Sequence, residues 1–299
     1  MKRLFTTILV AIVATSAMAQ SDDFGLWTSI NADADLSKKW SVSLGTEMRF
    51  EDKVSKVTRS GFDFSATYKP FKFLRFGLGY VYMRDRYAGE TKANYSTDEN
   101  GNEYLNGYNS DPSFRRDKNR VFFQITGRHK IGRFTVSLRE RLQYTHLQPV
   151  TNMRTRYRNV ELNEAEAELY NLSGETVYTV EDQGTTRYFS EQPVFFNDDY
   201  YGCTTAPHLK NSKHRLYLRS RLQVAYNIKG LPLEPYASFE ISNDLRKGFT
   251  MQKRRWIVGL DYTIKKRHTF GLSYIYSNGV DDDDEGNLHA VSVGYTIKI

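Results

Sequence analysis

The chain carries a single cysteine, Cys203, in 299 residues. That excludes an intrachain disulfide framework, and the acidic, aromatic surroundings of Cys203 offer no base to activate a thiol. Long apolar runs are also missing. Beyond the first twenty positions nothing approaches the roughly 18–20 apolar residues that a membrane-crossing helix needs, and the mean hydropathy is −0.60. Helical periodicity is nearly absent, its best and short instance being "NEAEAELY" at 163–170. Charge of one sign is scarce as well, with 42 Lys and Arg against 35 Asp and Glu, a net +7. Such a balance gives no electrostatic footprint for nucleic acid.

What is present begins with a leader. In "MKRLFTTILVAIVATSAMAQS", Lys2 and Arg3 form a basic start, Leu4 to Ala14 a short apolar core and Ala17-Met18-Ala19 an A-x-A cleavage site. This pattern predicts a secretory signal peptide over 1–19 and a mature chain over 20–299. With no cysteine after the apolar core, no lipid anchor is expected. Without Lys2 and Arg3 the net charge falls to about +5, and an exported chain of mild charge is expected to have no nucleic-acid partner.

Aromatic residues are abundant, 21 Tyr and 18 Phe, and they alternate. Trp40, Val42, Leu44, Met48 and Phe50 share one face, with Ser41, Ser43, Gly45, Glu47 and Arg49 on the other. Trp256, Val258, Leu260, Tyr262 and Ile264 oppose Gly259, Asp261 and Thr263, and the last segment sets Val291, Val293, Tyr295, Ile297 and Ile299 against Ser292, Gly294, Thr296 and Lys298. Period two over nine or more residues predicts strands long enough to cross a bilayer. Tight connections at 36–39, 69–72, 130–133, 229–232 and 265–268 alternate with longer ones near 51–57, 86–115, 147–212, 242–253 and 278–288. The expected fold is therefore all-β: an antiparallel up-and-down transmembrane barrel of 10–12 strands, with a long extracellular loop over 147–210. A soluble β-sandwich is the alternative, but its strands would be shorter. Eleven segments qualify, the first being 24–36. Because bacterial single-chain barrels have even strand numbers, the expectation is ten or twelve.

The pieces "FGLWTSINADADLSKKWSVSLGTEMRFED", "FLRFGLGYVYMRDRY", "GRFTVSLRERLQY" and "VGLDYTIKKRHTFGLSYIY" resemble a family of bacterial outer-membrane barrels known only as domain of unknown function 2490. The resemblance spans most of the mature chain except the 147–210 insert. It implies an outer-membrane barrel and brings no catalytic or binding residues with it. The ending "SVGYTIKI" is similar to the terminal signal by which such barrels are recognised for assembly, although it closes on Ile299 rather than an aromatic residue. The expected location is the bacterial outer membrane. The expected partners are outer-membrane lipid and lipopolysaccharide, the barrel-assembly machinery through the last strand, and a small solute.

With the apolar face outward, the lumen is expected to receive Arg120, Arg128, Arg139, Arg141, Arg215, Arg219 and Arg221 from one set of strands. Others supply Glu47, Asp63, Glu240 and Asp261. Two readings follow: a filled interior in which arginines pair with Glu47, Asp63 or Asp261, or a charge-segregated path for a solute. Glu140 falls on the apolar face between Leu138 and Leu142, near Ser220. A bulge turning it inward is the expected remedy, ahead of a subunit contact. "DDDDE" at 281–285 lacks the ligand spacing of a calcium loop and reads as a solvated tip. The insert carries an expected hairpin around Asp182–Gly184, and its aromatics favour an ordered cap, plug or contact surface. Ser277 and His268 lie nine residues apart on one strand, roughly 30 Å, too far to act together. No enzyme, cofactor or metal is therefore expected. The leading functional expectation is a small passive or gated solute channel, followed by a structural or surface-interaction barrel with a sealed lumen, then an integral lipid hydrolase.

Overall fold

The computed structural model describes residues 23–97, 100–159, 161–173, 177–182, 184–190, 195–196, 199–200, 203–279 and 287–299. The leader at 1–19 and the acidic run at 281–285 lie outside the described residues.

In chain order the strands are β1 (Asp23–Asp35), β2 (Trp40–Glu51), β3 (Lys56–Phe71), β4 (Leu74–Tyr87), β5 (Glu90–Thr97), β6 (Glu103–Asp111), β7 (Phe114–Ile131) and β8 (Phe134–Leu147). There follow β9 (Val150–Tyr157), β10 (Glu161–Leu162), the helix α1 (Glu164–Leu172), β11 (Val177–Asp182), β12 (Thr185–Ser190), β13 (Phe195–Phe196), β14 (Asp199–Tyr200) and β15 (Cys203–Lys210). The chain ends with β16 (Lys213–Tyr226), β17 (Leu233–Asp244), β18 (Thr250–Ile264), β19 (His268–Gly279) and β20 (Leu288–Lys298).

Eleven of these close a barrel in the order β1-β2-β3-β4-β7-β8-β16-β17-β18-β19-β20. They are the eleven segments marked by alternation, and β1 is a full wall strand. The expected parity of ten or twelve is corrected. In an up-and-down barrel an odd count leaves the first and last strands running the same way. Closure is accordingly parallel, from Asp23↔Leu288 to Asp33↔Lys298.

The wall has its apolar side outward, the inverse of a water-soluble core. Leu78 and Val258 are 63% and 61% exposed, whereas Arg219 and Glu240, on the other face, are 4% and 2% exposed. This is the pattern of a transmembrane barrel, whose outer band meets hydrocarbon and whose interior is polar. At the tight-turn rim the outer band is edged by aromatic pairs such as Trp40–Tyr68, with centroids 4.8 Å apart, and Phe134–Tyr226 at 4.9 Å.

Contacts divide the described residues into two units, the barrel (23–86, 116–148, 212–279 and 287–299) and a second formed by the described parts of 87–115 and 149–211. The second unit contains the four-stranded sheet β15-β9-β6-β5 and the three-stranded sheet β10-β12-β11. The expected hairpin is present as β11–β12, and the helical stretch as α1. The start of α1 is a capping box: Asn163 Oδ1 accepts from the Glu166 N–H at 2.9 Å, and Glu166 Oε2 accepts from the Asn163 N–H at 2.9 Å. The segment 86–115, read from sequence as a bare connection, is corrected: it supplies β5 and β6. In this unit one carboxylate ties three strands. Asp111 of β6 accepts from Arg154 of β9 at 2.8 and 2.7 Å, from Asn152 of β9 at 3.1 Å and from Lys210 of β15 at 2.7 Å.

Candidate functional site: an arginine-lined lumen

The barrel interior encloses a cavity of about 550 Å³ lined by eight arginines and three carboxylates. Its basic side follows from strand register. Strands β8 and β16 pair with Arg139 opposite Arg221 and Arg141 opposite Arg219. All four lie on the inward face, because Leu138, Leu142, Leu218 and Leu222 flank them at outward positions, with Glu140 and Ser220 between.

Next to β16, β17 places Glu240 directly opposite Arg221, and β18 places Arg255 directly opposite Glu240. Four guanidiniums converge on this carboxylate. Arg221 Nε donates to Oε2 at 2.8 Å, Arg139 Nη2 to Oε2 at 2.6 Å, Arg219 Nε to Oε1 at 3.2 Å and Arg255 Nη1 to Oε1 at 3.4 Å. The planar fork of arginine suits such charge-assisted bonds. The shared partner of these four arginines is Glu240 rather than the expected Glu47, Asp63 or Asp261, because adjacent-strand register puts it within reach, while Asp63 acts electrostatically on Arg141. Glu47 instead accepts from Arg49 at 2.7 Å.

Arg141 is held differently. Its Nε and Nη2 donate to Gln124 Oε1 at 3.0 and 2.7 Å, and its guanidinium lies 4.2 Å from the Phe122 ring centre. Two glycines on the inward face of β4 make room for that support. A Cβ on Gly79 would sit 2.4 Å from Phe122 Cζ, and one on Gly77 would sit 2.8 Å from Gln124 Cγ. Glycine here allows close approach of a neighbouring side chain.

Of the residues expected in the lumen, Arg120, Arg139, Arg141, Arg219, Arg221, Glu47, Asp63 and Asp261 line the cavity. Glu240 anchors the cluster from the wall, Arg128 is exposed on the last turnward stretch of β7, and Arg215 is half-buried beyond the cluster on β16. Alternation did not single out Arg49, Arg59, Arg255 or Trp27 as cavity residues. Arg59 binds Asp85 through Nε at 2.7 Å and Nη2 at 2.6 Å, with Lys118 also 2.6 Å from Asp85. Arg49 lies over the Trp27 ring at 3.7 Å, and Trp27 packs with Ile257, Ile275, Leu288 and Ala290 in an apolar patch inside the wall. The strand reading already put Trp27 and Arg49 inward; the signal for the site was the run of inward cations on neighbouring strands.

On the outer face, Glu140 stays outward. No register shift separates β8 from β7 or β16, and Glu140 is paired with Ser220, whose Oγ donates to Glu140 Oε2 at 2.5 Å. The expected inward bulge is therefore corrected: a cross-strand hydroxyl satisfies the carboxylate without breaking the ladder. Histidines near the rims engage tyrosine hydroxyls, with His214 Nδ1 2.6 Å from Tyr144 and His268 Nδ1 2.8 Å from Tyr295.

A closed barrel with an apolar exterior and a charged, arginine-rich lumen defines an outer-membrane-type β-barrel. Residues 24–287 match the model of the family described as "Protein of unknown function (DUF2490)", and the chain belongs to that family. No curated protein matches the sequence. Among solved structures it is similar to the crystal structure of the β domain of the Bordetella autotransporter BrkA. That match has 9% identity and a TM-score of 0.41, covering 86% of this chain and 79% of that one.

Proposed function

We propose that the protein resides in the bacterial outer membrane and conducts small solutes, with a preference for anions. The observation that carries this reading is the imbalance of the cavity wall, eight arginines against three carboxylates around about 550 Å³. A low-dielectric wall in which one sign predominates raises the local concentration of counter-ions and disfavours co-ions, and here the arginines outnumber the cavity carboxylates even with Glu240 counted. The crowding at Glu240 makes the path narrow, so conductance should be small. In this reading the last strand serves recognition by the assembly machinery, and the aromatic-edged outer band meets lipid and lipopolysaccharide.

Incorporation into planar bilayers under a salt gradient tests the proposal. Discrete steps with an anion-selective reversal potential support it, and reversing the charge at Arg139, Arg219 and Arg221 should move that potential toward cations. A second reading, a sealed barrel serving surface interaction, draws on the burial of Arg219, Arg255 and Glu240 to 4%, 4% and 2% exposure. It requires no steps from a barrel whose fold is confirmed by circular dichroism.

A further inference from the structure

The arginine wall is built in a way that folding alone disfavours. Like charges directly opposite on one face of an antiparallel pair repel, yet β8 and β16 set Arg139 against Arg221 and Arg141 against Arg219 in successive inward pairs. One carboxylate, Glu240, serves Arg139, Arg219, Arg221 and Arg255. Arg141 hydrogen-bonds to an amide and lies over an aromatic ring; Asp63 on the same cavity acts on it electrostatically, but among the described residues no carboxylate forms a hydrogen bond or ion pair with it. Buried charges are stable when paired and fully hydrogen-bonded, so this wall holds more positive charge than its own carboxylate neutralises. Two buried donors on the same cavity also lack an acceptor: Arg139 Nε and the Trp27 indole Nε1. A surplus of charge and a surplus of donors both call for an acceptor-rich anion. Local rules broken without a structural gain mark functional positions.

We infer that the cavity is a binding site for a small multivalent oxyanion of the phosphate or sulfate type, held by Arg139, Arg141 and Arg221. Guanidinium forks match the oxygens of such an ion in bidentate fashion. The volume, about 550 Å³, is in the range of small-molecule sites and leaves room for an organic substituent or waters. The inference deepens the solute-path reading and rests on it for access, since the ion must enter from a rim.

The test is a titration of the purified full chain in detergent micelles with inorganic phosphate at constant ionic strength, using sodium chloride as the reference. Binding is read by calorimetry and by tryptophan fluorescence. Saturable heat and a fluorescence change with phosphate, absent with chloride, are expected. Trp27→Phe should suppress the fluorescence change and, with the indole donor gone, weaken but not abolish the heat. Arg141→Gln should weaken phosphate binding by at least about tenfold, and Arg141→Lys, which keeps the charge but loses the fork, should fall between. The lysine variant also serves if the glutamine variant does not fold. Phosphate indistinguishable from chloride, or Arg141 variants that bind like the parent, would overturn the site. Bilayer recordings separate this result from the channel reading: saturable binding without conductance keeps the site and removes the path, and conductance without saturable binding does the reverse.

Discussion

At the residue scale, Glu140 shows how a local cost is met without altering the fold. It faces outward between Leu138 and Leu142, and its carboxylate takes the Ser220 hydroxyl from the strand opposite. A carboxylate on the lipid face is unfavourable, though less so than a lysine or arginine. Glu140→Leu should therefore raise the free energy of unfolding in micelles by about 1–2 kcal/mol, as read from denaturant titration. A variant that is less stable than the parent, or that changes its oligomeric state, would show instead that Glu140 serves a contact with another subunit. The side of the wall on which Glu140 sits was legible from alternation, and so was its proximity to Ser220. The bulge expected from its cost was not needed, because the neighbouring strand already carried a donor at the matching register position.

At the element scale, the parallel β1–β20 seam is the unusual pairing in the wall. Parallel ladders are slightly less stable per residue than antiparallel ones. Hydrogen exchange should therefore open β1 and β20 before the β8–β16 pair, and equal protection across all barrel strands would contradict this. The second unit supplies a pH prediction. Hydrogen bonds from Arg154, followed by those from Lys210 and Asn152, hold the Asp111 carboxyl well below its ordinary value of 3.8, against the opposing effect of burial. Because the folded-state pKa is the lower one, the contribution is complete above the ordinary value and is lost as pH falls through the depressed one. The sheet β15-β9-β6-β5 should accordingly stay protease-resistant from neutral pH to about pH 4 and loosen in stronger acid. Asp111→Asn should loosen it already at neutral pH. Strands β5 and β6, "ETKANYST" and "EYLNGYNSD", were not legible in the sequence. Neither has the apolar face that makes a barrel strand visible, because pairing in that sheet relies on backbone bonds and polar contacts such as those of Asp111.

At the scale of the whole molecule, the barrel was legible because a wall with unlike faces imposes period two on every strand. The inward side of Arg139, Arg141, Arg219 and Arg221 was legible for the same reason. Alternation marked all eleven wall strands as well; what argued for ten or twelve was the usual even number of such barrels, not the side-chain pattern, which leaves no mark of the parallel closure. The convergence on Glu240 also stayed hidden: which carboxylate faces which arginine depends on the β16–β17 and β17–β18 registers, and those follow from turn geometry as well as hydrophobic pattern. Passage of anions through this unbalanced lumen, as proposed, is read from the reversal potential of the purified barrel in a planar bilayer under a potassium chloride gradient. Small discrete steps are expected, with an anion-selective potential that shifts toward cations when Arg139, Arg219 and Arg221 are replaced by glutamate. A folded barrel that gives no steps, or one whose selectivity those replacements leave unchanged, would contradict the proposed passage.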